Sequence, residues 1–456
     1  MFIIYDLIIL VFTLIYLPVY LLRRKFHPGF PMRLGILPSG LELNRPIWIH
    51  AVSVGEVMTV KNLVRELRIA WPDKRFFIST VTPTGNKIAK GIVRETDFVS
   101  YFPLDLSFIV RGVVDKVKPS LLIIMETEIW PNLISCLHLK NIPIVLVNGR
   151  LSDRSFRGYL GIKFLLKPIL NKINLFCVQT RADAERLLRL GVSKDRIQIT
   201  GNMKFDASAR PDIRRGSLSI NGERSRTIDI KVDFKKTSHA QAGRDYTDYK
   251  LKLGLESNEK LFIAASTHPG EEKIILGVYK NLFKEFPDLR LLIAPRHPER
   301  AGQVEKLITQ YNFKPIKISQ LNLTPNTYNL KPIFILDTVG ELVYFYNIAS
   351  IVFVGGSLIK KGGHNILEPA SLGKPVIFGP YMFNFRDIAG LFLENKACIL
   401  AHNREELFLN IKDLLINPAK STELSQRAKT IILQNQGATA RNLECISNYI
   451  SAERRA

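Results

Sequence analysis

The sequence predicts an α/β protein built from two doubly wound domains. Short, fully apolar runs recur through both halves, at 121–125 and 142–147 and again at 261–265, 291–294, 333–336 and 351–354. Such runs suit parallel strands covered on both faces. Amphipathic stretches of helical period separate them, which is the alternation of a layered α/β fold. The turns that follow the strands concentrate glycine, hydroxyl and charged residues, at the edge where α/β sheets bind ligands. With 456 residues, each half has enough chain for its own core.

Residues 1–22, MFIIYDLIILVFTLIYLPVYLL, are almost continuously apolar, broken by Asp6 and Pro18 and followed by Arg23, Arg24 and Lys25. The run approaches the roughly 20 residues that a spanning helix needs, and the basic flank places the rest of the chain on the cytoplasmic side. No charge precedes the apolar run and no small-residue cleavage site comes after it, unlike a signal peptide. Residues 1–25 are therefore expected to be a membrane anchor, spanning or half-inserted.

The first domain is expected over 30–206. A strand at 47–52 turns through Ser53, Val54, Gly55 and Glu56 into a helix ending near 68. Further strands are expected at 75–80, 121–125, 142–147 and 176–180, with a helix over 182–190. Residues 207–250 lack a sustained apolar period and are rich in Arg, Lys, Asp, Ser and Thr, so they read as a charged linker or insertion. The second domain, 251–425, repeats the pattern, with further strands at 375–378 and 397–400, and 426–456 is expected to be a helical tail. The two domains are expected to face each other across a cleft.

Composition narrows the partners. The formal charge is +23, which favours polyanions: nucleic acid, an anionic membrane or phosphorylated substrates. The charge is spread along the chain with no recognition motif, so nucleic acid is not expected. Cys136, Cys177, Cys398 and Cys445 form no C-x-x-C pair, which predicts neither a zinc site nor a disulfide framework. Neither G-x-x-x-x-G-K-[ST] nor G-x-G-x-x-G occurs, which leaves ATP hydrolysis and dinucleotide reduction unsupported. No H-E-x-x-H or similar ligand cluster implies a metal.

Candidate chemistry collects at the strand ends. Glu56 stands at a helix start, where the dipole favours its ionised form; it can cap the helix or take a proton from a sugar hydroxyl. His50 reads as a packed histidine. Glu126 and Glu128 come directly after an apolar strand, where carboxylates are costly unless solvated, paired or used. Arg150 and Lys204 bring cations to the same edge. In the second half, residues 352–379 join an apolar run to Gly355-Gly356, Gly362-Gly363, His364, Asn365 and Glu368. Paired glycines there predict bare backbone amides for an anion, and Glu368 a partner for sugar hydroxyls. Arg296 comes just past another strand, placed for a phosphate or a base, and Asp337–Leu342 offers helix-start amides beside Glu341.

Together HAVSVGE (50–56), METEIWPN (125–132), NGRLSDRS (148–155), GNMKFD (201–206), STHPGEE (266–272), APRHPER (294–300), DTVGEL (337–342), GGSL (355–358) and GGHNILEPA (362–370) resemble the 3-deoxy-D-manno-octulosonic acid (Kdo) transferases of lipopolysaccharide biosynthesis. The resemblance covers nearly the whole chain. It implies a GT-B fold, with two Rossmann-like domains binding acceptor and donor, and an N-terminal membrane helix. It implies an inverting transfer of Kdo from CMP-Kdo to the lipid A precursor, lipid IVA, with no cofactor or metal. Glu56 matches the family's catalytic base, and Glu126 and Lys204 match its transition-state stabilisers. Pro295, Arg296, Val339, Gly340, Glu341, Asn365, Ile366, Leu367 and Glu368 match its CMP contacts. Lipid acceptor, CMP-Kdo and the anionic inner-membrane surface are the implied partners, with the catalytic domains on the cytoplasmic face. The segment 207–250 is longer and more charged than the family pattern. The competing reading is another membrane-associated GT-B transferase that uses a UDP-sugar donor and a lipid acceptor.

Overall fold

The computed structural model describes residues 5–11, 13, 15, 29–207, 247–321 and 331–453. The chain forms two compact units, one of Met1–Ala207 with Asn435–Ala456 and the other of Ser208–Gln434.

The first unit holds a seven-stranded sheet of β1 (Ile47–His50), β2 (Phe76–Thr80), β3 (Phe98–Tyr101), β4 (Leu121–Met125), β5 (Ile144–Gly149), β6 (Leu175–Val178) and β7 (Ile197–Ile199). All pairs are parallel, in the order β3-β2-β1-β4-β5-β6-β7. The period-2 alternation of a strand sorts its side chains to two faces. Trp48, Phe77, Leu122, Ile124, Leu146 and Phe176 enter one core, while Ile47, Ile49, Ile78, Ile123, Val145 and Cys177 enter the other. Helices cover both faces, which is why these strands carry apolar residues on both sides.

Three short strands, β3, β7 and a third in the second unit, were not expected from sequence. The second unit's sheet comprises β8 (Lys260–Thr267), β9 (Leu289–Pro295), β10 (Pro315–Lys317), β11 (Ile333–Ile335), β12 (Ile351–Val354), β13 (Val376–Phe378) and β14 (Ile399–Leu400). It is also parallel, in the order β10-β11-β9-β8-β12-β13-β14. Phe262, Leu291, Ile293, Ile335, Phe353 and Ile377 form the centre of its core.

The tail expected as one piece from 426 is divided. Helix Pro418–Asn435 lies almost wholly in the second unit, and helix Ala438–Glu453 returns to the first. The return is fixed by Asp206, whose carboxylate accepts the N–H groups of Gly437 at 2.7 Å and Thr439 at 2.6 Å. Arg441 Nε donates to the Thr200 carbonyl at 2.7 Å, and Ile446 and Ile450 bury into the first unit's core.

Among the described residues no helix is long and apolar enough to cross a membrane. Most of the expected anchor, including residues 16–25, lies outside the described residues, as does the linker from 208 to 246. The described turn of helix near the N-terminus explains Asp6. Its carboxylate accepts from Ser107 N at 3.0 Å and Asn132 Nδ2 at 2.7 Å, capping helix Ser107–Val117, which has no cap of its own. Asp6 is thus turned towards the first unit, while Leu7, Ile8 and Ile15 remain exposed.

Candidate active site

In the first sheet, strand order reverses between β1 and β4. Loops leaving adjacent strands at such a point diverge and open a crevice at the carboxyl edge. The short loop after β1 leads into the helix that carries Glu56, and the loop after β4 carries Glu126 and Glu128. Ser53 is the N-cap of helix Val54–Ala70 and accepts from Glu56 N at 3.4 Å. The Glu56 carboxylate in turn takes the Ser53 hydroxyl at 2.8 Å and Val52 N at 2.8 Å. Each oxygen accepts one of these bonds and keeps a second lone pair, so capping leaves Glu56 able to accept a further proton donor.

Glu56 is only 7% exposed. Burial, then the charge of Glu126, raises its carboxyl above the ordinary range, against the pull of Val52 N, Ser53 and Lys204. Desolvation thus works against the helix start, which favours the ionised form. A raised carboxyl is better matched to proton abstraction near neutral pH.

Glu126 has φ +55°, a left-handed conformation that glutamate rarely adopts and that tends to persist at functional sites. Its Oε1 lies 2.8 Å from Lys204 Nζ. Burial, followed by the charges of Glu56 and Glu126, pushes Glu128 up to about 7. Lys204 is positioned by Asn148 at the end of β5, whose Oδ1 accepts from Met203 N at 2.9 Å. Arg150 stands at the same edge, its backbone N–H donating to Thr127 Oγ1 at 3.2 Å. His50 is a packed residue: it is fully buried, its Nδ1 is 2.9 Å from Ser79 Oγ, and burial lowers it to about 3.

The second sheet reverses between β8 and β12. Pro295 closes β9, and the exposed Arg296 comes next, its N–H on the Thr267 carbonyl at 2.9 Å. Val339 and Gly340 lie beyond β11, with Val339 86% exposed. Glu341 accepts from Tyr249 Oη at 3.4 Å and Lys252 Nζ at 3.5 Å, both on helix Thr247–Leu253. Beyond β12, Asn365 Nδ2 donates to Glu368 Oε1 at 3.0 Å, and Asn365 Oδ1 accepts from Leu367 N at 3.1 Å. Ile366 and Leu367 are buried, and burial raises the Glu368 carboxyl.

The glycine loop differs from expectation. Its amides are not bare, because the Glu271 carboxylate occupies them. Gly356 N donates to it at 2.7 Å, and Ser357 N and Leu358 N at 3.0 Å each. Glu271 also takes His268 N at 3.0 Å. Gly355 is required by close approach, since a Cβ there would lie 2.6 Å from the Ser266 carbonyl oxygen. An internal carboxylate therefore fills the anion-binding concavity. Sequence reasoning gave no role to Glu271, or to His268 and His364, whose Nε2 atoms are 2.9 Å apart. The available signal was their position: each lies beyond one of the two strands at the reversal.

Comparison with known proteins gives a consistent picture. A family model described as 3-deoxy-D-manno-octulosonic-acid transferase matches residues 29–207. The chain is 36% identical over 405 residues to the 3-deoxy-D-manno-octulosonic acid transferase of Haemophilus influenzae, covering 89% of this chain and 87% of that one. It is 28% identical to the enzyme of that name from Chlamydophila psittaci, covering 98% and 96%. In fold it is similar to a glycosyltransferase structure from Rickettsia africae, with TM-score 0.53 and 14% identity over 89% of this chain and 99% of that one. The chain belongs to the 3-deoxy-D-manno-octulosonic acid transferase family.

Proposed function

We propose that the protein transfers Kdo from CMP-Kdo to a hydroxyl of the lipid A precursor lipid IVA, with inversion and without a metal. The observation that carries this is the cluster at the first sheet's reversal: buried Glu56 and half-buried Glu128 beside the Glu126–Lys204 ion pair. Glu56 takes the proton of the acceptor hydroxyl as its oxygen attacks the anomeric carbon. Positive charge developing on the sugar is stabilised by the Glu126 carboxylate, which Lys204 holds in place. CMP departs on a single phosphate, which Arg296 and neighbouring N–H donors can neutralise. Pro295, Val339, Gly340, Glu341, Asn365, Ile366, Leu367 and Glu368 are the proposed contacts of the nucleotide. Residues 1–25 are proposed to attach the protein to the inner membrane, with both units on its cytoplasmic face. The formal charge of +23 suits a phosphorylated acceptor on an anionic surface.

The test is to incubate the protein with tetraacylated, bisphosphorylated lipid A precursor, CMP-Kdo and EDTA, and to weigh the lipid. The expected product is heavier by whole Kdo units, and CMP but not UDP inhibits its formation. An unchanged lipid with CMP still bound refutes the acceptor. Inhibition by UDP instead refutes the donor, and a requirement for a divalent ion refutes metal independence.

A further inference from the structure

We propose that His268 and His364 form a proton-sharing pair that binds the donor's phosphate and protonates it as CMP departs. This rests on the proposed CMP-Kdo reading and adds two catalytic residues to it.

His268 comes directly after β8 and His364 lies in the loop after β12, so the two flank the point where strand order reverses. That is where an open α/β sheet receives its ligand. At the same loop, the amides of Gly356, Ser357 and Leu358 are already bonded to Glu271, so they are not available to a phosphate. The two half-buried imidazoles stand against this filled loop: a Cβ on Gly356 would lie 3.1 Å from His364 Nε2 and 3.4 Å from His268 Cδ2. Gly356 has φ +68°, so both its conformation and its missing side chain serve the pair.

The contact itself dictates where the protons sit. The rings are parallel within 6°, with centroids 5.1 Å apart and Nε2 atoms at 2.9 Å. Only one Nε2 can carry a proton across that distance, because two N–H groups would collide. The other ring must therefore hold its proton on Nδ1. The neutral pair thus has one Nδ1–H and one bare Nδ1, and a single added proton turns both into donors. Around the pair, His297, Arg296, Lys361 and Arg300 oppose that proton, while Glu272 favours it and Glu271 holds the His268 backbone. Burial also lowers both imidazoles, His364 to about 4. An arriving phosphate anion reverses the balance, so donor binding loads the proton.

In the transfer step, the bond between the anomeric carbon and the phosphate oxygen breaks with its electron pair on that oxygen. The acceptor oxygen forms the new bond and its proton passes to Glu56. The loaded imidazole gives its proton to the departing phosphate and returns to the neutral pair.

The experiment is calorimetric titration of the full chain with CMP at pH 7.5, in two buffers of different ionisation enthalpy. Phosphate monoesters have a second pKa of about 6, so CMP itself is a dianion there. Wild type is expected to take up close to one proton per CMP bound. His268→Gln and His364→Gln should lose that uptake, and kcat should fall by about 10²-fold or more with a smaller change in KM for CMP-Kdo. His297→Gln, the exposed neighbour, should retain the uptake. Wild-type binding without proton uptake overturns the inference with no variant needed, as does kcat within twofold of wild type in both variants. Failure of wild type to bind CMP overturns the donor reading itself.

Discussion

Neutralising Glu128 should stabilise the first unit, and only at high pH. In the fold this carboxyl titrates at about 7 instead of 4.5, because burial and the charges of Glu56 and Glu126 oppose its ionisation. The unfolded chain loses its proton first, so it binds fewer protons than the folded chain between those values, and stability falls as pH rises. Below about pH 4.5 both states are protonated and nothing is lost. Each pH unit above that costs about 1.4 kcal/mol, so the full penalty above pH 7 is about 3 kcal/mol, trimmed to about 2 by solvent at a half-buried group. Glu128→Gln removes the penalty. All three tryptophans, Trp48, Trp71 and Trp130, lie in the first unit, so urea unfolding followed by tryptophan fluorescence reports on that unit alone. The variant should exceed wild type by about 2 kcal/mol at pH 8 and by almost nothing at pH 4.5. An equal difference at both pH values would show that packing, not buried charge, sets the cost.

Glu56→Gln should lower transfer by about 10²-fold or more while CMP binding is retained; measurable turnover near wild type would remove Glu56 as the base. Because burial and Glu126 raise Glu56, the acid limb of kcat/KM in wild type should lie above the ordinary glutamate value of about 4.3. Asp206→Ala removes two hydrogen bonds at the start of helix Ala438–Glu453 and should cost about 1–2 kcal/mol in the fluorescence-detected transition.

How much of this was legible in the sequence depends on where an element sits in its sheet. The central strands announced themselves because β1, β4, β5, β8, β9 and β12 are covered on both faces and so read as apolar runs. The three unexpected strands, β3, β7 and β10, are all edges. β7 and β10 bury none of their residues fully, leaving little apolar signal over three residues each. The charged groups at the first sheet's edge were legible for a related reason: Glu126 and Glu128 interrupt an apolar context that makes carboxylates conspicuous. What the sequence could not supply was the balance of forces on them. Whether Glu56 is governed by its helix or by its burial depends on Glu126, 70 positions away in sequence, and on the depth of the turn.

The glycine loop carries the same lesson in its sharper form. Glycine pairs after a strand signal that backbone is approached closely, but not by what. Here the approaching group is Glu271, which lies 85 residues from Gly356 in sequence and takes four amides into its two oxygens. Burial raises that carboxyl, although four N–H bonds oppose the rise. The nest is consequently a joint between the β8 and β12 loops, and it fixes the two backbones from which His268 and His364 meet. Glu271→Gln separates the two roles of such a loop. A glutamine keeps one acceptor oxygen and turns its amide donors towards amides already in place, leaving buried N–H groups unmet at about 1–3 kcal/mol. Hydrogen exchange at Gly356, Ser357 and Leu358 should accelerate, and CMP affinity should fall with it, because the imidazole pair loses its footing. Faster exchange with unchanged CMP affinity would show that the joint serves stability only and that the phosphate is held elsewhere.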